Sequence, residues 1–230
     1  MNVFIANING NAANLTPEES WHCFKVLRCK VGDQIHIIDG LGAAYKGVLM
    51  LATEKQCVAN ITEGPIYQSK RNYYLHLAIA PTKQIDRIEW MIEKAVEIGI
   101  DELSFIKCKN SERMNIKIDR IQKIVESAVK QSKQACIPKI NDITDFKNML
   151  ASESHIKLIA HCEESDKGNL KDLNLAGNSI CVLIGPEGDF TIQEIEEAQK
   201  AGFKAVSLGK TRLRTETAGL YVVHALAILT

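Results

Sequence analysis

A chain of 230 residues, 46% hydrophobic and 24% charged, has the make-up of a soluble globular protein large enough for one big domain or two ordinary ones. Its formal net charge is zero, which by itself argues against a polyanionic partner, and no run of about eighteen apolar residues marks a membrane helix. The opening Met1–Ile5 lacks a basic region or cleavage site and reads as the first strand of a cytoplasmic protein rather than a signal. None of the seven cysteines is in Cys-x-x-Cys spacing, and Cys57, Cys136 and Cys181, among apolar neighbours, read as small buried hydrophobes in a reducing compartment. His155, His161 and Cys162 lack a fourth ligand for a metal and read as ordinary strand-end residues, so no metal site is predicted.

Residues 1–69 read as a small β-rich unit. Thr16, Pro17, Glu18 and Glu19 mark a helix start with proline at its first position, and the helix carries Trp21, His22, Phe24, Val26 and Leu27 to Arg28. Strands are predicted at Gln34–Ile38, Tyr45–Leu51 and Cys57–Ile61, with Asp39 and Gly40 as a turn, which suggests a small barrel. Gly64, Pro65 and the polar run Gln68–Arg71 form a linker to a second domain over 70–230.

That domain begins with a buried strand, Tyr73–Ala80, stopped by Pro81. Lys83 opens a helix over Asp86–Ile98 whose apolar stripe is Ile88, Met91, Ile92, Ala95 and Val96, closed by Gly99. A strand at Glu102–Cys108, a polar loop at Asn110–Arg113 and a long helix at Lys117–Gln134 follow, with Ile121, Ile124, Val125 and Ala128 facing inward. After Pro138 come a short helix near 145–150, a strand at His155–Ala160 and a polar loop to Asn178. Alternating strands and helices predict an α/β domain with a mainly parallel sheet. Charge is uneven: from Ser104 to Lys139 nine basic residues stand against three acidic ones, a local net of +6. Such asymmetry predicts one basic face, although intrahelical pairs on a solvated surface explain any single lysine equally well.

The last fifty residues are the most informative. The β-branched run Ile180–Ile184 ends abruptly at Gly185, Pro186, Glu187, Gly188, Asp189. Thr191 and Glu194 have capping-box spacing, so a helix starts there and stops at Gly202. Phe203–Leu208 is a second strand, broken by Gly209 and followed by Lys210, Arg212 and Arg214; Thr215–Ala218 lead into an apolar final helix. Two strand ends thus each present a glycine loop at a helix start, where ligands bind in open α/β sheets. Gly209, Lys210, Thr211 looks like the tail of a triphosphate loop, but that motif needs glycine at Lys204. The dinucleotide fingerprint also fails on spacing. Taken singly, each glycine is more readily a turn residue at positive φ than a functional one.

Together, Leu183–Phe190 and Leu208–Ala218 resemble the RsmE family of 16S ribosomal RNA uridine N3-methyltransferases, of the SPOUT class. The resemblance implies a C-terminal trefoil knot that holds S-adenosylmethionine (SAM) in the two loops, a PUA-like RNA-binding barrel at the N-terminus, and a homodimer with the final helix in its contact. His22, Val26, Leu27 and Arg28 match a recurring His-x-x-x-Val-Leu-Arg of the family. Lys83, Arg87, Glu89, Lys94, Glu97, Gly99 and the polar loop with Arg113 fit it too. His22, Arg28, Lys83, Arg87 and Arg113 are therefore the candidate RNA contacts, with a helix C-terminal cap as the rival role for Arg28. The chain departs from the family in having Gly188, Asp189 for a glycine pair and Gln134 for an arginine.

On this reading Ile184, Gly185, Pro186, Gly188, Leu208, Gly209, Leu213 and Ala218 cradle the cofactor. Uracil N3 becomes nucleophilic only as its proton leaves, and a cation beside the ring carbonyls favours the anion. Arg214 and Arg212 are the candidates for that cation. Glu216 is the candidate proton acceptor or, equally, a helix N-terminal acid that stabilises the dipole. The implied partner is 16S rRNA or the small ribosomal subunit, with no membrane. Three rivals stay open: a ribose 2′-O-methyltransferase on rRNA or tRNA with the same cofactor site, a non-enzymatic RNA-binding assembly factor, and a small-molecule α/β enzyme.

Overall fold

A computed structural model of the chain describes residues 2–174 and 176–229. The chain forms two compact units, residues 2–70 with Glu126–Ile137, and Arg71–Val125 with residues 138–229. The outer ends of the expected ranges, Met1 and Thr230, lie outside the described residues.

The first unit is a closed five-stranded barrel of β1 (Val3–Asn9), β2 (Ala12–Leu15), β3 (Gln34–Ile38), β4 (Ala43–Ala52) and β5 (Cys57–Tyr67), in the order β1-β2-β5-β4-β3. All neighbours are antiparallel except β1 and β3, whose parallel pairing closes the barrel. Alternating inward residues Phe4 and Ala6, Ala13 and Leu15, Ile35 and Ile37, and Cys57, Ala59 and Ile61 fill it. Helix α1 (Pro17–Trp21) plugs one end: Thr16 Oγ1 accepts from Glu19 N, and Ser20 Oγ accepts from the amide of Cys57 at 2.9 Å.

The single helix expected to run from Thr16 to Arg28 is not what forms. After α1 the turn widens to a π-helical segment, His22–Val26, and Arg28 sits beyond it at φ 54°. The cause is burial at the barrel end. Cys23 is fully buried and its carbonyl takes the amide of Cys29, also buried, so the apolar period moves on to Cys29 and leaves Phe24, Val26 and Leu27 exposed. Glu126–Ile137 joins this unit through backbone bonds of Gly42 N to Ala135 O and Ile137 N to Gly40 O. Gln68 Oε1 accepts from the amides of Ala135 and Cys136, and Lys130 pairs with buried Glu19.

The second unit holds a seven-stranded sheet of β6 (Tyr74–Ile79), β7 (Glu102–Lys107), β8 (Lys139–Asp145), β9 (Ile156–Ala160), β10 (Gly168–Asn169), β11 (Ser179–Ile184) and β12 (Lys204–Ser207), in the order β10-β12-β9-β11-β6-β7-β8. Every pairing is parallel. Both faces are covered, which is why β6 and β11 read as continuous apolar runs. Helix α2 (Ile85–Ile98) and helix α6 (Thr215–Leu229) pack on each other, and α6 touches β6 and β11. On the other face α4 (Phe146–Met149) and α5 (Ile192–Lys200) contribute Phe146, Met149, Ile195 and Ala198 to a core with Cys181, Leu183 and Phe203. Helix α3 (Ile118–Ser132) begins in this unit, and its residues from Glu126 on belong to the first.

Because all strands run one way, their amino ends share a rim. Glu102 gathers donors there from Tyr74 Oη at 2.9 Å, Lys139 Nζ at 2.8 Å and Asn141 Nδ2 at 2.7 Å. Burial works against its charge, yet the bonds from Lys139 and Asn141 prevail and hold its carboxyl below the ordinary value.

Candidate active site

The opposite rim, at the carboxyl ends of β9, β11 and β12, carries a cavity of about 630 Å³, within the ~300–1,000 Å³ typical of small-molecule sites. One wall is the turn after β11, through Gly185, Pro186, Glu187 and Asp189; a second is the loop after β12, Leu208–Arg214. The two are joined directly, for the buried Thr215 hydroxyl donates to the Gly185 carbonyl at 3.0 Å.

Gly185 is required by packing, not by backbone freedom. A Cβ there would lie 3.0 Å from Cδ2 of the Phe190 ring and 3.2 Å from the Phe190 amide. The left-handed position of this turn falls on Asp189, at φ 62°, not on a glycine as expected. Asp189 Oδ1 takes its neighbour's amide, Phe190 N, and Oδ2 takes Cys162 N at 2.7 Å. Its carboxylate thus ties down the loop after β9. In the second wall the positive-φ residue is Gly209, at φ 130°.

Around these walls the loops are knit by backbone-directed bonds. Glu187 Oε1 accepts from Lys83 N, and Asn110 Nδ2 donates to the carbonyls of Gly188 and Asp189 at 3.1 Å. Arg113 donates from Nε to Thr82 O and from Nη2 to Lys83 O, at 3.0 and 2.7 Å. Lys83 Nζ also reaches Glu112 at 3.1 Å, a pair exposed on both sides.

Of the cofactor candidates, Ile184, Gly185, Pro186, Leu208, Gly209, Leu213 and Ala218 line the cavity together. Gly188 does not; it abuts Asn110, whose Cβ would be 3.1 Å from a Cβ at this position. Arg212 and Arg214 line it as well, exposed, and neither has a carboxylate partner among the described residues. Glu216 is 8% exposed, does not line the cavity, and has its carboxylate 3.9 Å from Arg87 Nη1. His22 lies edge-on to Phe4 in the barrel, ring centroids 6.4 Å apart, while Arg28 is exposed.

A third wall was missed in the sequence. Ala160, His161 and Cys162, at the end of β9, and Lys167 line the cavity beside the two glycine loops. The rule that ligands sit beyond the carboxyl ends of parallel strands would have singled out His161 and Cys162. Burial, with Lys167 nearby, keeps the His161 imidazole below the ordinary histidine value; burial and Asp189 push the Cys162 thiol up. Among the described residues no group of acidic, histidine and cysteine side chains is arranged to hold a metal ion.

A glycine-edged cleft with an apolar floor of Ile184, Leu208, Leu213 and Ala218, and with guanidinium groups that have no carboxylate partner among the described residues, suits a nucleoside-bearing donor and an anionic acceptor, and known proteins define the class. Residues 69–227 match the family model of the RNA methyltransferase domain, and residues 15–62 that of the RNA methyltransferase PUA domain. The ribosomal RNA small subunit methyltransferase E of Mesomycoplasma hyopneumoniae is 37% identical over 163 residues, spanning 68% of this chain and 69% of its own. That of Bacillus subtilis is 26% identical across 94% of this chain and 90% of its own. Among solved structures, a probable rRNA-methyltransferase from Porphyromonas gingivalis superposes with TM-score 0.90 at 39% identity, covering 100% of this chain and 98% of that one. A ribosomal RNA small subunit methyltransferase E from Neisseria gonorrhoeae, bound to S-adenosyl methionine, gives TM-score 0.88 at 28% identity over the same shares. The chain belongs to the RNA methyltransferase family of ribosomal RNA small subunit methyltransferase E.

Proposed function

We propose that the protein transfers a methyl group from SAM to N3 of a uridine in 16S rRNA of the small ribosomal subunit. The observation that carries this reading is the joining of the turn after β11 and the loop after β12 into one cavity whose rim bears Arg212 and Arg214. Its residues fit the cofactor: Ile184, Pro186, Leu208, Leu213 and Ala218 give the cavity an apolar lining, and the His161 ring nitrogens are buried without a partner among the described residues. SAM supplies a methyl group made electrophilic by its cationic sulfur. Ile184, Gly185, Pro186, Leu208, Gly209, Leu213 and Ala218 hold it by packing and backbone bonds and bring it in line with the acceptor, which is chiefly a positioning task. Arg214 and Arg212 lower the cost of the uracil anion, and solvent takes the N3 proton. Glu216, engaged with Arg87, serves as the acid of the first turn of α6, one of the two roles its sequence position allows. Gly188 acts on the cofactor through its turn, which Asn110 holds from the loop after β7.

Residues 1–69 are the RNA-binding module, with His22 and Arg28 as contacts, and 70–230 the knotted catalytic domain. Lys83 meets the RNA directly; Arg113 and Arg87 act by fixing the loop around it and Glu216. N3 lies on the pairing edge, so the target base is unpaired or flipped out. Two such chains form a homodimer through α6, whose Tyr221, Ile228 and Leu229 are exposed, as is Trp90 on α2. No helix among the described residues is long and apolar enough to cross a membrane, and a cytoplasmic location is the one that suits an rRNA substrate.

The test is mass spectrometry of rRNA nucleosides from a deletion strain, before and after adding protein and SAM. N3-methyluridine is expected; its absence, or a ribose methyl in its place, overturns the reading. In the same assay Arg214→Ala loses roughly 100-fold or more in methyl transfer while SAM affinity stays within a few-fold. Unchanged turnover would remove Arg214 from catalysis. Sedimentation at micromolar concentration is expected to show a dimer, and a monomer alone would count against α6 as an interface.

A further inference from the structure

We infer that His161 is a cofactor-binding residue that makes an uncharged hydrogen bond to the nucleoside part of the bound donor. The inference rests on the SAM reading above and extends it to a residue outside the two glycine loops. His161 directly follows β9, lines the cavity and is 8% exposed. Both its ring nitrogens are buried, and neither has a hydrogen-bond partner among the described residues. Most buried polar side-chain atoms find a partner, and leaving one without costs about 1–3 kcal/mol. An imidazole with two such atoms in a cavity wall therefore calls for a partner.

The backbone around the residue is held for this purpose. Lys167 Nζ donates to the His161 carbonyl at 2.7 Å, and the next amide, Cys162 N, is fixed by Asp189 Oδ2. The χ2 torsion of histidine is broad, so the torsion itself allows a ring nitrogen to face a bound group. The charged groups that act on it are Lys167, Asp189 and Glu163; burial and Lys167 prevail, keeping the ring neutral at neutral pH. A neutral imidazole offers one donor and one acceptor. That matches the hydroxyls and ring nitrogens of an adenosyl group, whereas the methionyl carboxylate would be met better by the cations of the second wall.

Calorimetry with SAM and with 5′-methylthioadenosine, which has the nucleoside but lacks the amino-acid end, tests this. His161→Phe keeps a ring of similar size without polar atoms; about a tenfold loss of affinity is expected for both ligands. His161→Gln, which keeps a donor and an acceptor, is expected to recover most of it. Equal binding by His161→Phe, or a loss confined to SAM, overturns the inference while leaving the cofactor assignment intact. If the unmutated protein binds no SAM, both fall. Nitrogen NMR of the unmutated protein needs no variant: the His161 ring signals should move on adding methylthioadenosine, and unmoved signals refute the contact.

Discussion

Asp189 shows how one side chain fixes two loops. It stands at φ 62°, where an L-residue other than asparagine or aspartate is uncommon, and its two oxygens hold Phe190 N and Cys162 N. Asp189→Ala leaves the unfavourable backbone and removes both bonds, so urea unfolding should show a loss of about 1–3 kcal/mol. Asp189→Asn tolerates the conformation and keeps an oxygen acceptor, and should lose less than half of that. At Gly185 the constraint is packing: an added Cβ crowds the Phe190 ring, which must shift by a few tenths of an ångström, and Gly185→Ala is expected to cost about 1 kcal/mol and to weaken SAM binding. The sequence marks both residues as a turn. It does not reveal which carries the positive φ, because Gly188 is the more obvious choice and only the contact with Asn110 makes it a packing residue instead.

At the level of elements, α5 carries its instructions locally. Thr191 Oγ1 accepts from Glu194 N, while Glu194 Oε2 accepts from Thr191 N. Glu194 Oε1 adds a bond from Lys109 N at 2.9 Å, which no local pattern announces. Glu194→Ala should therefore lower stability by about 1–2 kcal/mol, rather more than a cap alone implies, measurable as a fall in unfolding midpoint. Helices α2 and α5 and strands β6 and β11 are legible because local period and burial agree. Strand β8 is not: Lys139–Asp145 lies at the sheet edge, where polar residues are tolerated and alternation is lost. The two-residue strand β10 and the short β2 carry too little pattern to register. The π-helical segment escapes notice because Phe24, Val26 and Leu27 imitate a buried stripe while tertiary burial selects Cys23 and Cys29.

For the whole molecule, ionisable groups set a pH window for stability. His36, His76 and His161 are all kept below the ordinary histidine value, burial being the foremost cause in each. The unfolded chain then binds more protons than the folded one on the acid side, so stability should fall as pH drops below about 6.5. Burial likewise pushes the thiols of Cys23 and Cys108 up, and that of Cys181 up to about 11. The unfolded chain releases those protons first, so stability should also fall above about pH 8.5. Melting temperatures measured from pH 5 to 10 should peak near pH 7–8; a curve rising steadily to pH 10 would contradict the buried-thiol account.

The uniform direction of the seven strands sorts substitutions by which end of the sheet they fall on. Glu102 with Tyr74, Lys139 and Asn141 anchors the end where strands begin, and the cavity opens where they finish. Glu102→Gln should melt earlier yet bind SAM as before, whereas replacing Leu213 or Arg212 should alter ligand or RNA handling with little change in melting. Damage and disablement are thereby separable in this protein, and a single temperature scan beside a single titration tells one from the other.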